Sequence, residues 1–327
     1  MKHTMKHTTR ILSVLALALG LCAGAQAQQY PTKPIRLIVP FPPGGGTDVV
    51  ARVLAQNMGE ATGWTIVVDN RPGSGGSVGL SSAGRAPADG YTIVLAQNAN
   101  LVINPILGRA NYDPIKDFAP IGLAAAAPQV LVVAKDSPLK TVDDLLAAAK
   151  AKNGALTFAS PGIGTSSHLA GELLQQLTGV KFLHVPYKGA AQALPDLLGG
   201  RVDIYTSSLP SAMAQIKEGA LRPIALFATE RSPDLPDVPT FEEAGIKNSD
   251  ASTWWGLAAP AGTPEAIITR LNAELNRVLQ MPDTQKRLRA AGAAAISSTP
   301  EQFAALIKSD VPKWTQVVKA ANIKVGE

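Results

Sequence analysis

The sequence predicts an α/β protein built as two domains, and three observations predict it. Short apolar runs of strand character alternate along the chain with stretches of helical periodicity, the pattern of sheets covered by helices. Two units of strand, glycine-rich loop and helix recur about 120 residues apart. The chain has 327 residues, 46% of them hydrophobic and 17% charged, too apolar for a disordered chain and longer than one such sheet normally uses.

The elements follow in order. Ile35 to Phe41 reads as a buried strand running into the glycine loop Pro42 to Gly46, after which Thr47 or Asp48 caps a helix reaching about Met58. Val49, Val50, Val53 and Leu54 mark the inner face of that helix. Ile66 to Asp69 and Thr92 to Ala96 are further strands. The second series starts with a strand at Leu156 to Ser160, a glycine loop, and a helix from about Ser166 to Leu177. It continues with strands at Phe182 to Pro186, Val202 to Ser207 and Pro223 to Ala228. Alternation of this kind predicts mainly parallel sheets flanked by helices. Residues 119 to 133 and 251 to 260 are apolar, extended, and placed to be the two crossovers, which inserts the second domain into the first: 28–125 with 253–327, and 126–252. Pro264 to Gly326 reads as helices, with Ile267, Ile268, Leu271, Leu275 and Leu279 at helical spacing.

The first 27 residues form a separate unit. Lys2, Lys6 and Arg10 precede an apolar run from Ile11 to Ala23, and Ala25-Gln26-Ala27 supplies the small residues of a signal-peptidase site. Thirteen residues rise only about 20 Å as a helix, short of the roughly 30 Å hydrocarbon core. The sequence therefore predicts an export signal cleaved after Ala27, with Leu21 before Cys22 arguing against a lipid-anchor site. Removing the signal takes three positive and no negative charges, and the net charge falls from +5 to +2. The pI of about 9.3 then overstates the basicity, and no nucleic-acid partner is expected. The single cysteine goes with the signal. His168 and His184 alone remain of the four histidines, which excludes disulfides, cysteine nucleophiles and His/Cys metal sites in the processed chain. No cofactor, metal or catalytic residue is expected.

In open α/β sheets the ligand crevice lies beyond the carboxyl ends of the strands. That rule selects Phe41 to Asp48, Gln97 to Asn100, Ser160 to His168, Tyr187 to Gly189, Thr206 to Ser208, and Thr229. Two of these loops are glycine-rich and lead straight into helices, whose first N–H groups lack intrahelical partners and sit at the positive end of the helix dipole. Each is a natural anion cradle. Neither has a P-loop lysine or Gly-x-Gly-x-x-Gly spacing, which argues against nucleotide. Candidate ligand-binding residues are Phe41, Pro43, Gly44, Gly45, Gly46, Thr47 and Asp48 in the first loop and Asn98 after the third strand. The second series adds Ser160, Gly164, Thr165, Ser166, His168, Tyr187, Lys188 and Ser207. One cradle per domain suits an anion charged at both ends. Gly75-Gly76-Ser77-Val78-Gly79 matches a hydrolase elbow pattern, but it lies in a glycine-saturated loop several residues past the strand, where a strained elbow is not expected.

The same residues carry a resemblance. Pro31-x-Lys33-Pro34-Ile35-Arg36 followed by Val39-Pro40-Phe41-x-Pro43-Gly44-Gly45-x-Thr47-Asp48 resembles the start of the Bug family, extracytoplasmic receptors of tripartite tricarboxylate transporters. Asn70-Arg71-Pro72-Gly73, Asp89-Gly90-Tyr91-Thr92, Gly164-Thr165-x-x-His168, Val185-Pro186-Tyr187-Lys188-Gly189, Leu235-Pro236-Asp237-Val238-Pro239-Thr240 and Trp255-Gly256-Leu257 extend it over residues 30 to 320. The resemblance implies a two-domain Venus-flytrap periplasmic binding protein of the type II-like fold. An organic carboxylate would be held between the domains by the two glycine loops and ordered waters. The implied partners are membrane permease subunits, or a sensor histidine kinase to which a ligand-presenting receptor reports, with the receptor itself a monomer. Family ligands range over di- and tricarboxylates, amino acids, nicotinate and aromatic acids, so the resemblance does not choose among them.

Overall fold

The computed structural model describes residues 30–321 and residue 323. The expected signal segment, its cleavage site and Gln28 lie outside the described residues. Residues 30–33 belong to a separate N-terminal unit, and the architecture below is that of the compact unit beginning at Pro34.

Two sheets organise that unit. The first holds strands β1 (Ile35–Val39), β2 (Ile66–Asn70), β3 (Thr92–Gln97), β4 (Phe118–Ala127), β10 (Thr253–Pro260) and β11 (Ala294–Ala295), in the order β11-β4-β10-β3-β1-β2. The second holds β5 (Gln129–Ala134), β6 (Thr157–Ser160), β7 (Leu183–Pro186), β8 (Ile204–Ser208) and β9 (Leu221–Phe227), in the order β7-β6-β8-β5-β9. β1 runs parallel to β2 and β3, and β6 runs parallel to β7 and β8.

The segments expected to bridge the sheets are themselves strands, so each sheet is mixed rather than mainly parallel. β4 and β5 form one extended ribbon interrupted at Pro128, which has no N–H to continue a ladder. β5 lies antiparallel to β8 and β9. β10 returns antiparallel between β3 and β4, and every residue in it is buried. An apolar stretch read only as a connection thus becomes the central strand of its sheet, because a run without alternation fits a strand covered on both faces.

Helices cover both sheets: α1 (Gly46–Thr62), α2 (Ser77–Gly84), the one-turn α3 (Asn104–Ile106), α4 (Val142–Ala151), α5 (Ser166–Thr178), α6 (Ala190–Leu198), α7 (Leu209–Lys217), α8 (Glu265–Leu279), α9 (Pro282–Ala290) and α10 (Pro300–Ala320). α1 buries Val50, Ala51, Leu54, Ala55 and Met58, spaced three and four apart. It is capped by Gly45 without a side-chain bond, not by Thr47 or Asp48. Within the C-terminal segment the described residues form α8, α9 and α10 as expected, with short β11 between the last two; the residues after 323 lie outside the described residues.

α5 packs closely on its sheet at Gly171. Its buried face includes Leu169, Ala170, Leu173 and Leu174, and Gly171 lets the Phe158 ring of β6 rest against the helix. A methyl at Gly171 would collide with that ring, so Gly171→Ala should cost about 1–3 kcal/mol of stability by overpacking. Thermal denaturation checks this, and an unchanged midpoint would show that Phe158 repacks freely.

Candidate functional site

The end of β1 and the start of α1 build the first side of the cleft. Gly44 takes a left-handed turn with φ +80°, and its N–H donates to Asp48 Oδ2 at 3.0 Å. Asn70 Nδ2 donates to Asp48 Oδ1 at 2.9 Å and also to the Phe41 carbonyl at 3.0 Å. Arg52 Nε meets Asp48 Oδ2 at 2.9 Å. Asp48 is thereby a buried brace that fixes the loop from inside.

Burial alone would raise the Asp48 pKa, but the bonds from Arg52, Gly44 and Asn70 outweigh it and hold the carboxyl below its ordinary value. A carboxyl depressed in the folded state stabilises above its unfolded pKa, and that stability is lost as pH falls through the folded value. Asp48→Asn should therefore cost about 1–2 kcal/mol at neutral pH, discounted for the half-exposed Arg52. The gap from wild type should close below about pH 4. Denaturation at several pH values measures it, and a pH-independent gap would contradict the brace.

The second side starts where β6 ends. Thr165 caps α5: its hydroxyl accepts from the His168 N–H at 3.2 Å and donates to the Gly162 carbonyl at 2.7 Å. Beneath the loop, His168 Nδ1 accepts from the Gly164 N–H at 3.3 Å. The His168 ring stacks on His184 with centroids 4.1 Å apart, and His184 Nε2 lies 2.7 Å from Ser160 Oγ. Burial, then the neighbouring His168, push the His184 pKa down to about 3, so it stays neutral. The two imidazoles buttress the loop rather than face the cleft.

Four helix starts converge on the space between the sheets. The cleft is lined by Gly45, Gly46 and Thr47 of α1, Thr165, Ser166 and Ser167 of α5, Gly189 and Ala190 of α6, and Ser208 and Ser211 of α7. Phe41, Pro42, Gln97, Gln129, Pro161 and Thr253 complete it. Among the described residues that line it, none is charged.

The cleft is shut. The Gly46 N–H donates to Ser211 Oγ at 2.7 Å, the Ser166 hydroxyl donates to Asn98 Oδ1 at 2.8 Å, and Gln129 Nε2 donates to the Thr253 hydroxyl oxygen. A cavity of about 40 Å³ remains between the two sides, room for a few waters.

The sixteen candidates fall into four groups. Phe41, Gly45, Gly46, Thr47, Thr165 and Ser166 line the cleft. Asp48, Asn98, Ser160, Gly164 and His168 stand behind it, holding loops: Asn98 also donates to the Ser252 carbonyl at 3.1 Å, and Gly164 packs against Asn104 and Leu107. Pro43, Gly44 and Lys188 are exposed outside the lining. The Tyr187 hydroxyl donates to Asp196 at 2.7 Å, and buried Ser207 donates to the Ser208 carbonyl at 3.2 Å. Ser208, one residue on, lines the cleft in its place.

Gln129, Thr253 and Ser211 escaped the sequence reading. The carboxyl-end rule does not select the first two because β5 and β10 run antiparallel, so their beginnings share an edge with the ends of their neighbours. Gln129 pairs with Ser208 and Trp255 with Gln97. Ser77 opens α2 rather than lying in a glycine loop, and its buried hydroxyl accepts from Asn104 Nδ2 at 3.2 Å.

Comparison with known proteins places this geometry. The family described as "Tripartite tricarboxylate transporter family receptor" matches residues 50–323. The structure of periplasmic binding protein BugD is similar at 36% identity and a TM-score of 0.85, with 90% of this chain and 99% of that chain covered. Rpa4515 of R. palustris, solved with adipate, is similar at 34% identity and a TM-score of 0.87, covering 90% and 99%. MatC from Rhodopseudomonas palustris, solved with bound malate, is similar at 32% identity and a TM-score of 0.82, covering 88% and 100%. An α/β architecture of two sheets, a cleft between them and a family match over most of the sequence agree, and the chain belongs to the tripartite tricarboxylate transporter receptor family.

Proposed function

We propose that the chain is a periplasmic receptor that captures a small organic dianion, a dicarboxylate, in the cleft between its sheets and delivers it to the permease subunits of a tripartite tricarboxylate transporter. The observation that carries this is the convergence of four helix N-termini on a cleft whose described lining is neutral. A buried carboxylate needs charge-compensating donors, and helix-start N–H groups supply them without a cation. Similar proteins solved with adipate and malate support the ligand class.

Within the compact unit, residues 34–125 with 253–321 act as one closing domain and residues 126–252 as the other. In the shut cleft Ser211 occupies the acceptor position opposite the Gly46 N–H, so a diacid enters by parting the two sides and replacing that hydroxyl with a carboxylate oxygen. Binding favours closure because each end of the ligand gains only when both cradles reach it.

Titration calorimetry with succinate, malate and adipate tests the reading. The expected result is one-to-one binding of at least one diacid without turnover, with succinamide failing to bind. A ligand at 100 times its Kd should add about 2.7 kcal/mol of stability. Preference for the diamide, a neutral sugar or a cation would overturn the assignment.

A further inference from the structure

We propose that Trp255 and Gln129 are positioning residues that fix the hydroxyls of Thr47 and Thr253 as hydrogen-bond donors into the cleft, and that this makes the site select diacids over their α-amino counterparts. The inference rests on the carboxylate reading above and deepens it.

β10 presents residues i and i+2 to one face, which places Thr253 and Trp255 together toward the cleft side. Trp255 is fully buried, and its Nε1–H donates to Thr47 Oγ1 at 3.0 Å. An indole nitrogen only donates, so Thr47 is bound to accept there. On the opposite side the Ser167 hydroxyl donates to Gln129 Oε1 at 2.8 Å. With the amide in this orientation Nε2 faces Thr253, which is an acceptor as well. Each threonine hydroxyl has one proton. With an N–H already donating to its oxygen, and no other described group accepting from it, that proton is left for the cleft that both residues line.

The counterpart is the shortage of negative charge. An ammonium group brings three donors and a charge, and needs acceptors in return. Among the described residues that line the cleft there is no carboxylate. Asp48, the acid beside the first loop, is spent on Gly44, Asn70 and Arg52. The Gln97 amide and the Ser166 lone pairs are neutral acceptors, insufficient to compensate a buried cation.

Calorimetry with matched probes tests the proposal: succinate against aspartate, and adipate against 2-aminoadipate. Wild type should bind the preferred diacid at least about 50-fold more tightly than its amino counterpart. Trp255→Phe, which keeps a ring but loses the N–H, and Thr47→Val should each weaken the diacid about 10-fold, the scale of one hydrogen bond to a charged group. Because Trp255 acts through Thr47, the double variant should bind like Thr47→Val alone, whereas two independent structural effects would multiply. Gln129→Glu, whose carboxylate accepts the Thr253 proton, should reduce the preference toward unity. Thr47→Ser, which retains the hydroxyl, should restore binding close to wild type. Diacid and amino-diacid binding within a few-fold of each other in wild type, or multiplicative losses in the double variant, would overturn this proposal alone. Failure of wild type to bind any of the four acids would overturn the carboxylate reading as well.

Discussion

Gly46→Val should lower diacid affinity at least about 100-fold while leaving the protein folded, the equivalent of about 2.7 kcal/mol. Gly46 opens α1 with negative φ, so a side chain does not strain the backbone there. The obstacle lies across the cleft: a Cβ at this position would collide with the Ser208 hydroxyl and stand 3.1 Å from Ser211 Oγ. A branched side chain cannot be accommodated by rotating one serine, so the two sides are held apart and the second cradle never reaches the ligand. Small-angle scattering should show the variant keeping the larger radius of gyration at saturating diacid. Gly44→Ala is the control. Its Cβ would meet nothing within 4 Å, but the residue sits at φ +80°, so it should lose about 1 kcal/mol of stability with little change in affinity. Wild-type affinity in Gly46→Val would end the closure argument.

What was legible in the sequence was the local chemistry. Glycine loops between an apolar run and a periodic segment identify the starts of α1 and α5, since positive φ at Gly44 and Gly164 and the cap at Thr165 are local requirements. The parallel strands and the two-sheet architecture follow from alternation. What stayed hidden depends on partners far along the chain. Nothing near Gln129 or Thr253 marks them as facing one another 124 residues apart, because that juxtaposition arises from antiparallel insertion of β5 and β10. His168 and Lys188 were natural candidates as the polar or cationic groups in cleft loops. His168, however, accepts from the loop it underlies, and Lys188 is exposed outside the lining, which its neighbour Gly189 at the start of α6 joins. The proposed anion site draws on backbone N–H groups at helix starts, which no side-chain motif reports.

Ser211→Asp should abolish diacid binding, by about 1,000-fold, and should produce a receptor that stays shut without ligand. Ser211 lies in the first turn of α7, where a carboxylate is favoured by the helix dipole, and it already accepts the Gly46 N–H at 2.7 Å. An aspartate there presents an acceptor-only group to the same donor and brings its own negative charge to the point where four helix starts meet. The ligand carboxylate then faces a like charge about 4 Å away, worth roughly 4 kcal/mol at an effective dielectric of 20. The ligand-free variant should melt higher than wild type and scatter as the compact form whether or not diacid is added. Ser211→Asn separates charge from size: it fills the same volume without the negative charge, and should retain measurable diacid affinity. If Ser211→Asp bound diacid as tightly as Ser211→Asn, the convergence of helix starts would not be where the ligand's charge is held, and the carboxylate would have to be sought elsewhere in the cleft.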